Sequence, residues 1–382
     1  MAEYTKLGDL GEIFIGLTYK PENVSTEGTI VLRSSNIQDG ELDFNDIVRV
    51  NCPVRENLLV KQNDILMCSR NGSAKLVGKC TLLPRISEPM TFGAFMTIIR
   101  TPYNGYLRYF FDSSAFRDQI KGSATTTINQ ITRKMLDDVQ VPIFDIETQN
   151  QISAQFEKLS MLITLRKEQL VKLDQLVKSR FIELFGDPMT NSHGYALKKY
   201  GDLFELNAGG TPSKQKPEYW ENGTISWIGS NMCQNTVIYE NDGNYITEEG
   251  LKHSSARVFP VDTVLIALVG ATIGKTALLK FETTTNQNVL GVRGIRENGY
   301  TPEFIFYYTQ GLYQNFLNIG DGGFAMASKG FISELPIPIV DLALQEQFAA
   351  FVEQTDKSKL AIQQSLDKLE TLKKALMQKY FG

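Results

Sequence analysis

Between residues 152 and 184 the chain places apolar side chains in alternating steps of four and three. They are Ile152, Phe156, Leu159, Ile163, Leu170, Leu173, Val177 and Leu184, with Arg166 and Arg180 as interruptions. Glu, Lys and Asp fill the other positions, so the stretch predicts one long helix with a narrow heptad seam. Gly186-Asp187-Pro188 supplies its stop. A second run, from about Leu342 to Tyr380, puts Phe348, Val352, Ile362, Leu366, Leu369 and Leu376 in matching places, with Thr355 and Lys359 on the seam. At 1.5 Å per residue, roughly 35 residues of helix span roughly 50 Å. A single apolar stripe does not stabilise such a helix alone in water. The expected partner is the other long helix, in an antiparallel pair with a globular part at each end.

Outside these runs the pattern changes to short β-like segments broken by turns. Examples are Thr29–Leu32, Asp64–Met67, Ala94–Ile99, Val264–Leu268 and Asn288–Val292. Two stretches, Gly105–Gln119 and Pro302–Leu317, carry aromatics at helical spacing (Tyr106, Tyr109, Phe110; Phe304, Tyr307, Tyr308), which read as core. The expected fold class is mixed α/β.

The two halves repeat. Val141-Pro142-Ile143 recurs as Ile337-Pro338-Ile339, 196 positions later (338 − 142). At that offset Gln149 falls on Gln345, Ile152 on Phe348, Phe156 on Val352, and Phe185-Gly186 on Phe381-Gly382. Leu170, Leu173 and Leu176 fall on Leu366, Leu369 and Leu372. Earlier segments match more loosely. Gly8-Asp9-Leu10 pairs with Gly201-Asp202-Leu203, Ser35-Asn36 with Ser230-Asn231, Asp64-Ile65-Leu66 with Asp262-Thr263-Val264, and Gly78-Lys79 with Gly274-Lys275. The chain reads as two copies of one unit, each a globular part followed by a long helix.

Composition narrows the chemistry. The 382 residues hold 42% hydrophobic and 21% charged residues with a net charge of −4, ordinary for a soluble protein and against a surface that is basic throughout. No apolar run approaches membrane-spanning length and the start has no signal-peptide character, so a cytoplasmic protein without membrane contact is expected. Cys52, Cys68, Cys80 and Cys233 lack C-x-x-C spacing and read as free thiols. His193 and His253 lie in turn-like sequence, against a metal cluster or a histidine-based triad. No Pro-Pro pair is present for an amine-methylating loop, and the acidic residues are scattered. No catalytic residue or metal ligand is assigned.

Polar and basic turns stand out instead. Gly270-Ala-Thr-Ile-Gly-Lys-Thr276 looks like a phosphate loop but is one residue short between its first Gly and the Gly-Lys-Thr. With strand-like sequence on both sides, it reads as a hairpin turn. Gly209-Gly-Thr-Pro-Ser-Lys-Gln-Lys-Pro217 presents Thr211, Ser213, Lys214 and Lys216, residue types that suit phosphate contacts. The first copy offers Thr18 and Lys20 before Pro21. Recurrent turns add Arg33, Ser35 and Asn36 beside Ser230 and Asn231, then Arg70, Asn71, Lys75 and Lys79 beside Lys275, then Thr126 and Asn129 beside Lys329. Among these, Arg33, Arg70, Asn36 and Asn231 have the donor and acceptor geometry for base edges.

With these features together, the chain resembles the specificity subunit of type I restriction–modification systems. The stretches that carry the resemblance are Gly209-Gly-Thr-Pro-Ser213 through Pro217-Glu-Tyr-Trp220 to Ile225-Ser-Trp-Ile228, then Asp262 to Thr276, then Ile337-Pro-Ile339 into Gln345-Glu-Gln347. The first copy departs from it by having Gly16-Leu-Thr-Tyr-Lys-Pro21 in place of Gly-Gly-Thr-Pro-Ser. The resemblance implies target recognition domains at 1–144 and 188–340, each reading half of a bipartite site in double-stranded DNA. Spacer helices at 145–187 and 341–382 would form the antiparallel coiled coil. It also implies a non-enzymatic chain, two methylation subunits binding S-adenosylmethionine, and restriction subunits consuming ATP with magnesium. The alternatives are the recognition subunit of a related modification system with a fused catalytic partner, or a nucleotide hydrolase built on Gly270–Thr276.

Overall fold

The computed structural model describes residues 3–122, 130–319 and 326–382. The chain forms two compact units, Met1–Lys167 with Gln364–Gly382, and Glu168–Gln363. Among the described residues no helix is long and apolar enough to cross a membrane.

The first unit is built on a four-stranded antiparallel sheet in the order Glu12–Ile15, Met96–Arg100, Ile65–Cys68, Cys80–Leu82. Its central strand is apolar throughout because both faces are covered. Alternate side chains go opposite ways. Ile65 and Met67 join Tyr106, Phe110, Ile152 and Phe156 on one side, while Leu66 and Cys68 meet Ile30, Leu32 and Phe92 on the other. The latter three belong to a second sheet in which Met90–Phe92 runs parallel to Thr29–Leu32.

The second unit repeats the plan with five strands, ordered Glu205–Ala208, Val289–Arg293, Val264–Ala267, Thr276–Leu279, Thr236–Ile238. Val264 and Ile266 face Phe304, Phe181 and Phe348, whereas Leu265 and Ala267 face Ile228, Cys233 and Phe259. The two helical stretches expected from the aromatic spacing are each broken in two, as Asn104–Phe110 and Ser114–Gly122, and as Pro302–Gly311 and Tyr313–Leu317. Their aromatics are core, as the spacing predicted: Tyr106, Tyr109, Phe110, Phe304 and Tyr308 are buried and Tyr307 is half-buried.

Both long helices are present, Ile146–Phe185 and Leu342–Phe381, each of 40 residues. Each starts after an aspartate that accepts backbone hydrogen bonds: Asp145 from Thr148 at 2.8 Å and Asp341 from Ala343 at 2.9 Å. The first ends where Gly186 turns left-handed at φ +79°. In the first unit Phe156 stacks between Tyr109 and Phe381, and the Tyr380 hydroxyl donates to Gln155. In the second, Phe181 meets Phe348 edge-on at 5.3 Å and Lys359 pairs with Asp174 at 2.7 Å. Going up one helix means going down the other, so the pairing is antiparallel.

The seam falls where the heptads put it. Ile152, Phe156, Leu159, Val177, Phe348, Val352 and Leu366 are buried, and Ile163, Leu170, Leu173, Ile362, Leu369 and Leu376 are half-buried. Leu176 and its counterpart Leu372 lie off the seam and are exposed. Both histidines are exposed, as expected.

Two repeat alignments need correction. Leu32 and Ile228 hold matching places beside Phe92 and Thr285, so Ser34 corresponds to Ser230, Ser35 to Asn231 and Asn36 to Met232, one place from the pairing expected. The second lies before the central strand. Asn63, not Asp64, corresponds to Asp262: both sit at φ +66°, and their amides donate to Leu83 and Leu279 at equivalent places in the sheet. Asp64 therefore matches Thr263. The reason lies in the left-handed turn before each strand, which tolerates Asn and Asp alike. Asp64 is buried in a bidentate pair with Arg100, whereas Asp262 takes Lys280 at 2.9 Å and Arg296 at 2.9 Å.

Candidate nucleic-acid interface

Residues 270–276 close a hairpin. Strand Val264–Ala267 is antiparallel to Thr276–Leu279, and Gly270 and Gly274 take φ +69° and +72° between them. A phosphate loop must lead into a helix whose first amides face the phosphates; here a strand follows, and the nucleotide-hydrolase alternative loses its site. The hairpin reading of the sequence is the one the structure has. Gly78-Lys79 closes the equivalent turn by the same two hydrogen bonds. Cys68 N donates to Lys79 O and Gly78 N to Cys68 O, both at 2.8 Å, matched by Ala267 N to Lys275 O and Gly274 N to Ala267 O, both at 2.9 Å.

This equivalence extends across one whole end of each sheet. In the first unit Gly16 N donates to Met96 O (3.1 Å), Leu17 N to Phe92 O (2.7 Å), Gly93 N to Leu32 O (2.9 Å), Ser69 N to Phe95 O (2.9 Å) and Ile131 N to Ser69 O (2.7 Å). In the second, Gly209 N donates to Val289 O (3.0 Å), Gly210 N to Thr285 O (2.8 Å), Asn286 N to Ile228 O (3.1 Å), Leu268 N to Asn288 O (2.8 Å) and Ala327 N to Leu268 O (2.8 Å). The glycines are dictated by approach. A Cβ on Gly16 would strike the carbonyl of Gly93, and one on Gly209 would strike Thr285 and Asn286. The first copy thus keeps the glycine that the crossing needs, although it lacks the Gly-Gly-Thr-Pro-Ser motif.

Each frame collects the turns that the sequence singled out. Thr18, Lys20, Arg70 and Lys75 are exposed around the first frame, and Ser213, Lys214, Asn231 and Lys329 around the second. Other side chains are already engaged. Thr211 donates its hydroxyl to Gln287, Asn71 donates to Ser34 at 3.2 Å, Lys275 donates to Gln234 at 2.9 Å and Lys216 to the Tyr219 hydroxyl at 2.9 Å. The bond to Tyr219 also raises the Lys216 pKa. Lys79 and Ser230 are half-buried. Thr126 and Asn129 lie outside the described residues.

Asn36 is a correction. It is 1% exposed, accepts from Arg33 N at 2.8 Å and donates to the carbonyls of Asp43 and Asp46 at 2.9 Å each. Its amide edge is consumed in pinning a turn and is not offered to a base. Arg33 is drawn into the same clamp, 2.6 Å from Asp46, whose pKa is lowered by hydrogen bonds from Ser35 and then Arg33.

Sequence reading passed over three features of these ends. The turns Gly93–Met96 and Asn286–Val289 each close by an amide to the carbonyl three residues back, at 2.8 and 3.2 Å. Trp220 and Trp227 meet edge-on at 5.2 Å and donate to Ser213 O and Gly210 O, which pins the Thr-Pro-Ser-Lys loop. Phe95 is 58% exposed, with the Arg70 guanidinium 5.3 Å from its ring centre. Among the described residues no group of three or more His, Cys, Asp or Glu side chains could hold a metal ion.

Residues 193–373, just under half of the chain, match the family model of the type I restriction modification DNA specificity domain. The chain carries this domain. Relatives of the specificity domain include the EcoR124I/EcoR124II specificity subunit of Escherichia coli, 37% identical over 98 residues, or 25% of this chain and 24% of the relative. The MjaIX specificity subunit of Methanocaldococcus jannaschii is 32% identical over 165 residues, 42% of this chain and 37% of the relative. The matched part therefore spans well under half of these relatives' own length.

The type I system S subunit from M. genitalium covers 100% of this chain and 96% of its own at a TM-score of 0.60 and 15% identity. A structure described in terms of complex assembly and conformational transition of the type I R-M system gives 0.64 at 16% identity, covering 100% and 97%. Those two similarities establish the fold of the whole chain. The specificity domain match spans the Gly209–Thr211 loop, Asn231, Lys275 and Lys329, so the second frame lies within it.

Proposed function

We propose that the chain is the sequence-specificity subunit of a type I restriction–modification complex, acting in the cytoplasm on double-stranded DNA. Each unit reads one half of a bipartite site and the paired helices set the spacing between the halves. The observation that carries this reading is the duplicated frame: the same backbone hydrogen bonds hold two sets of polar turns, one of them inside a specificity domain. A bipartite site asks for two such readers, whereas a nucleotide hydrolase gives no reason for the duplication. In this reading Lys20, Arg70, Lys75, Lys214 and Lys329 supply phosphate contacts and Asn231 meets a base edge; the exposure of all six supports it.

The chain performs no chemistry itself in this reading. Two methylation subunits dock on the helix pair and bring S-adenosylmethionine; restriction subunits bring ATP and magnesium. The relatives are named as specificity subunits of type I restriction enzymes, which supports a chain that works with catalytic partner subunits. Sequencing methylated adenines in cells with and without the gene tests the reading. Exchanging residues 1–144 for those of a relative should replace one half-site only. Deleting one heptad from each long helix removes about 10 Å of helix, about three base pairs at 3.4 Å each, and should shorten the spacer with both half-sequences intact. Altered half-sequences after the heptad deletion would refute the spacer role.

A further inference from the structure

We infer that the tips of the two matching turns, Ala94-Phe95 and Gln287-Asn288, are specificity-determining positions, with Phe95 taking a thymine methyl and the Asn288 carboxamide an adenine edge. The inference rests on the reading of both units as DNA binders and goes beyond it by assigning base chemistry to a position in each.

The two tips occupy one place in one frame. Each follows a residue whose amide reaches the small sheet (Gly93 to Leu32, Asn286 to Ile228), and each precedes a residue whose carbonyl receives the glycine amide of the neighbouring loop. The carbonyl of Phe95 accepts from Ser69 N (2.9 Å), Arg70 N (3.0 Å) and Ser69 Oγ (3.0 Å), and that of Asn288 accepts from Leu268 N. The main chain at both tips is therefore fixed, and only the side chains differ between the units.

The Phe95 ring does not serve the fold. A phenyl ring left 58% exposed at a fixed turn forgoes burial that the cores of this unit give to Phe92, Phe110 and Phe116. Arg70 lies over the ring, so a cation that suits a phosphate stands beside an apolar surface. That combination fits a major-groove thymine, whose C5 methyl is the apolar element of the groove code. In the second unit the Gln287 side-chain oxygen accepts from the Thr211 hydroxyl, and the main-chain N–H of Asn288 donates to Asn286 Oδ1 at 3.0 Å. These bonds orient the tip and leave the half-buried Asn288 side chain with a donor and an acceptor in one plane, the pair that matches adenine N7 and N6.

The test is selection from randomised duplex DNA by the full-length chain, purified from its native host with the subunits that accompany it. Phe95→Ala is expected to lose the preference for thymine at one position of the first half-site, and Phe95→Leu to keep it. Asn288→Ala should lose an adenine preference of roughly 5- to 100-fold at one position of the second half-site. In each variant the untouched half-site reports that the protein is folded and bound. The inference is overturned if Phe95→Ala and Asn288→Ala select the wild-type site, if either changes both half-sites, or if Phe95→Leu behaves as Phe95→Ala. A wild-type protein that selects no bipartite site refutes the DNA-binding reading instead.

Discussion

Replacing Gly274 by alanine probes the hairpin turn directly, with Gly270→Ala as its control. Both glycines are left-handed, at φ +72° and +69°, so either substitution costs about 1–2 kcal/mol for the backbone alone. Their surroundings differ. A Cβ on Gly270 meets nothing within 4 Å, whereas one on Gly274 would lie 2.6 Å from Cγ and 2.7 Å from Cβ of Phe316. Phe316 is fully buried and packs edge-on against Phe331, so it cannot swing away without disturbing the core. Overpacking of that kind adds about 1–3 kcal/mol. Gly270→Ala should therefore cost about 1–2 kcal/mol and Gly274→Ala roughly 2–5 kcal/mol.

The assay is built into the chain, because both of its tryptophans, Trp220 and Trp227, belong to the second unit. Urea unfolding followed by tryptophan fluorescence reads that unit without contribution from the first. Equal costs for the two substitutions would refute the packing argument. The double variant Gly274→Ala with Phe316→Ala should show a favourable coupling of about 1 kcal/mol or more, since the second change removes the obstacle created by the first.

Three further outcomes are expected. Asp64→Ala leaves the buried end of Arg100 unpaired and should cost about 3–5 kcal/mol, seen as faster hydrogen exchange in strands 65–68 and 96–100, with the tryptophan transition unmoved. Burial raises the pKa of Asp262, but the bonds from Lys280 and Arg296 outweigh it and hold the carboxyl below its ordinary value. A depressed carboxylate stabilises above its unfolded pKa of about 3.9 and loses that contribution as pH falls through the lower folded value, so Asp262→Asn should flatten the loss of second-unit stability below about pH 4. Asn keeps the left-handed backbone at that position. Lys214→Ala, at an exposed lysine of the second frame, should weaken binding to all duplex sequences alike and reduce the salt slope by about 0.9, and calorimetry should show no ATP binding to the unsubstituted protein.

Much of this architecture follows from periodicity. The heptad runs placed both long helices and their seam because a stripe repeated over many turns has no other compact solution. The five strands named from the sequence were recoverable to within a residue or two. Asp64 was set against Asp262 where a left-handed turn lets Asn and Asp trade places, and Ser35-Asn36 against Ser230-Asn231 where the repeated Ser-Asn pair sits one place later in the first copy. The recognition turns were visible as polar segments, but their internal engagements were not. Asn36 is consumed by carbonyls seven and ten residues away, and Thr211 by Gln287, 76 residues away; no local pattern encodes either. The tip at Phe95 escaped notice for a related reason. Ala-Phe has no turn preference of its own, and the turn is imposed by the strands on both sides and by Ser69.

The bonds that hold each frame join main-chain atoms, and main-chain atoms are the same whatever codon occupies the position. Replacements at 94, 95, 287 and 288 leave those bonds intact, so inherited variation can accumulate there without exposing the chain to misfolding. Under the proposed function, a descendant changes what one unit addresses, generation by generation, while the other unit stays as its ancestor left it.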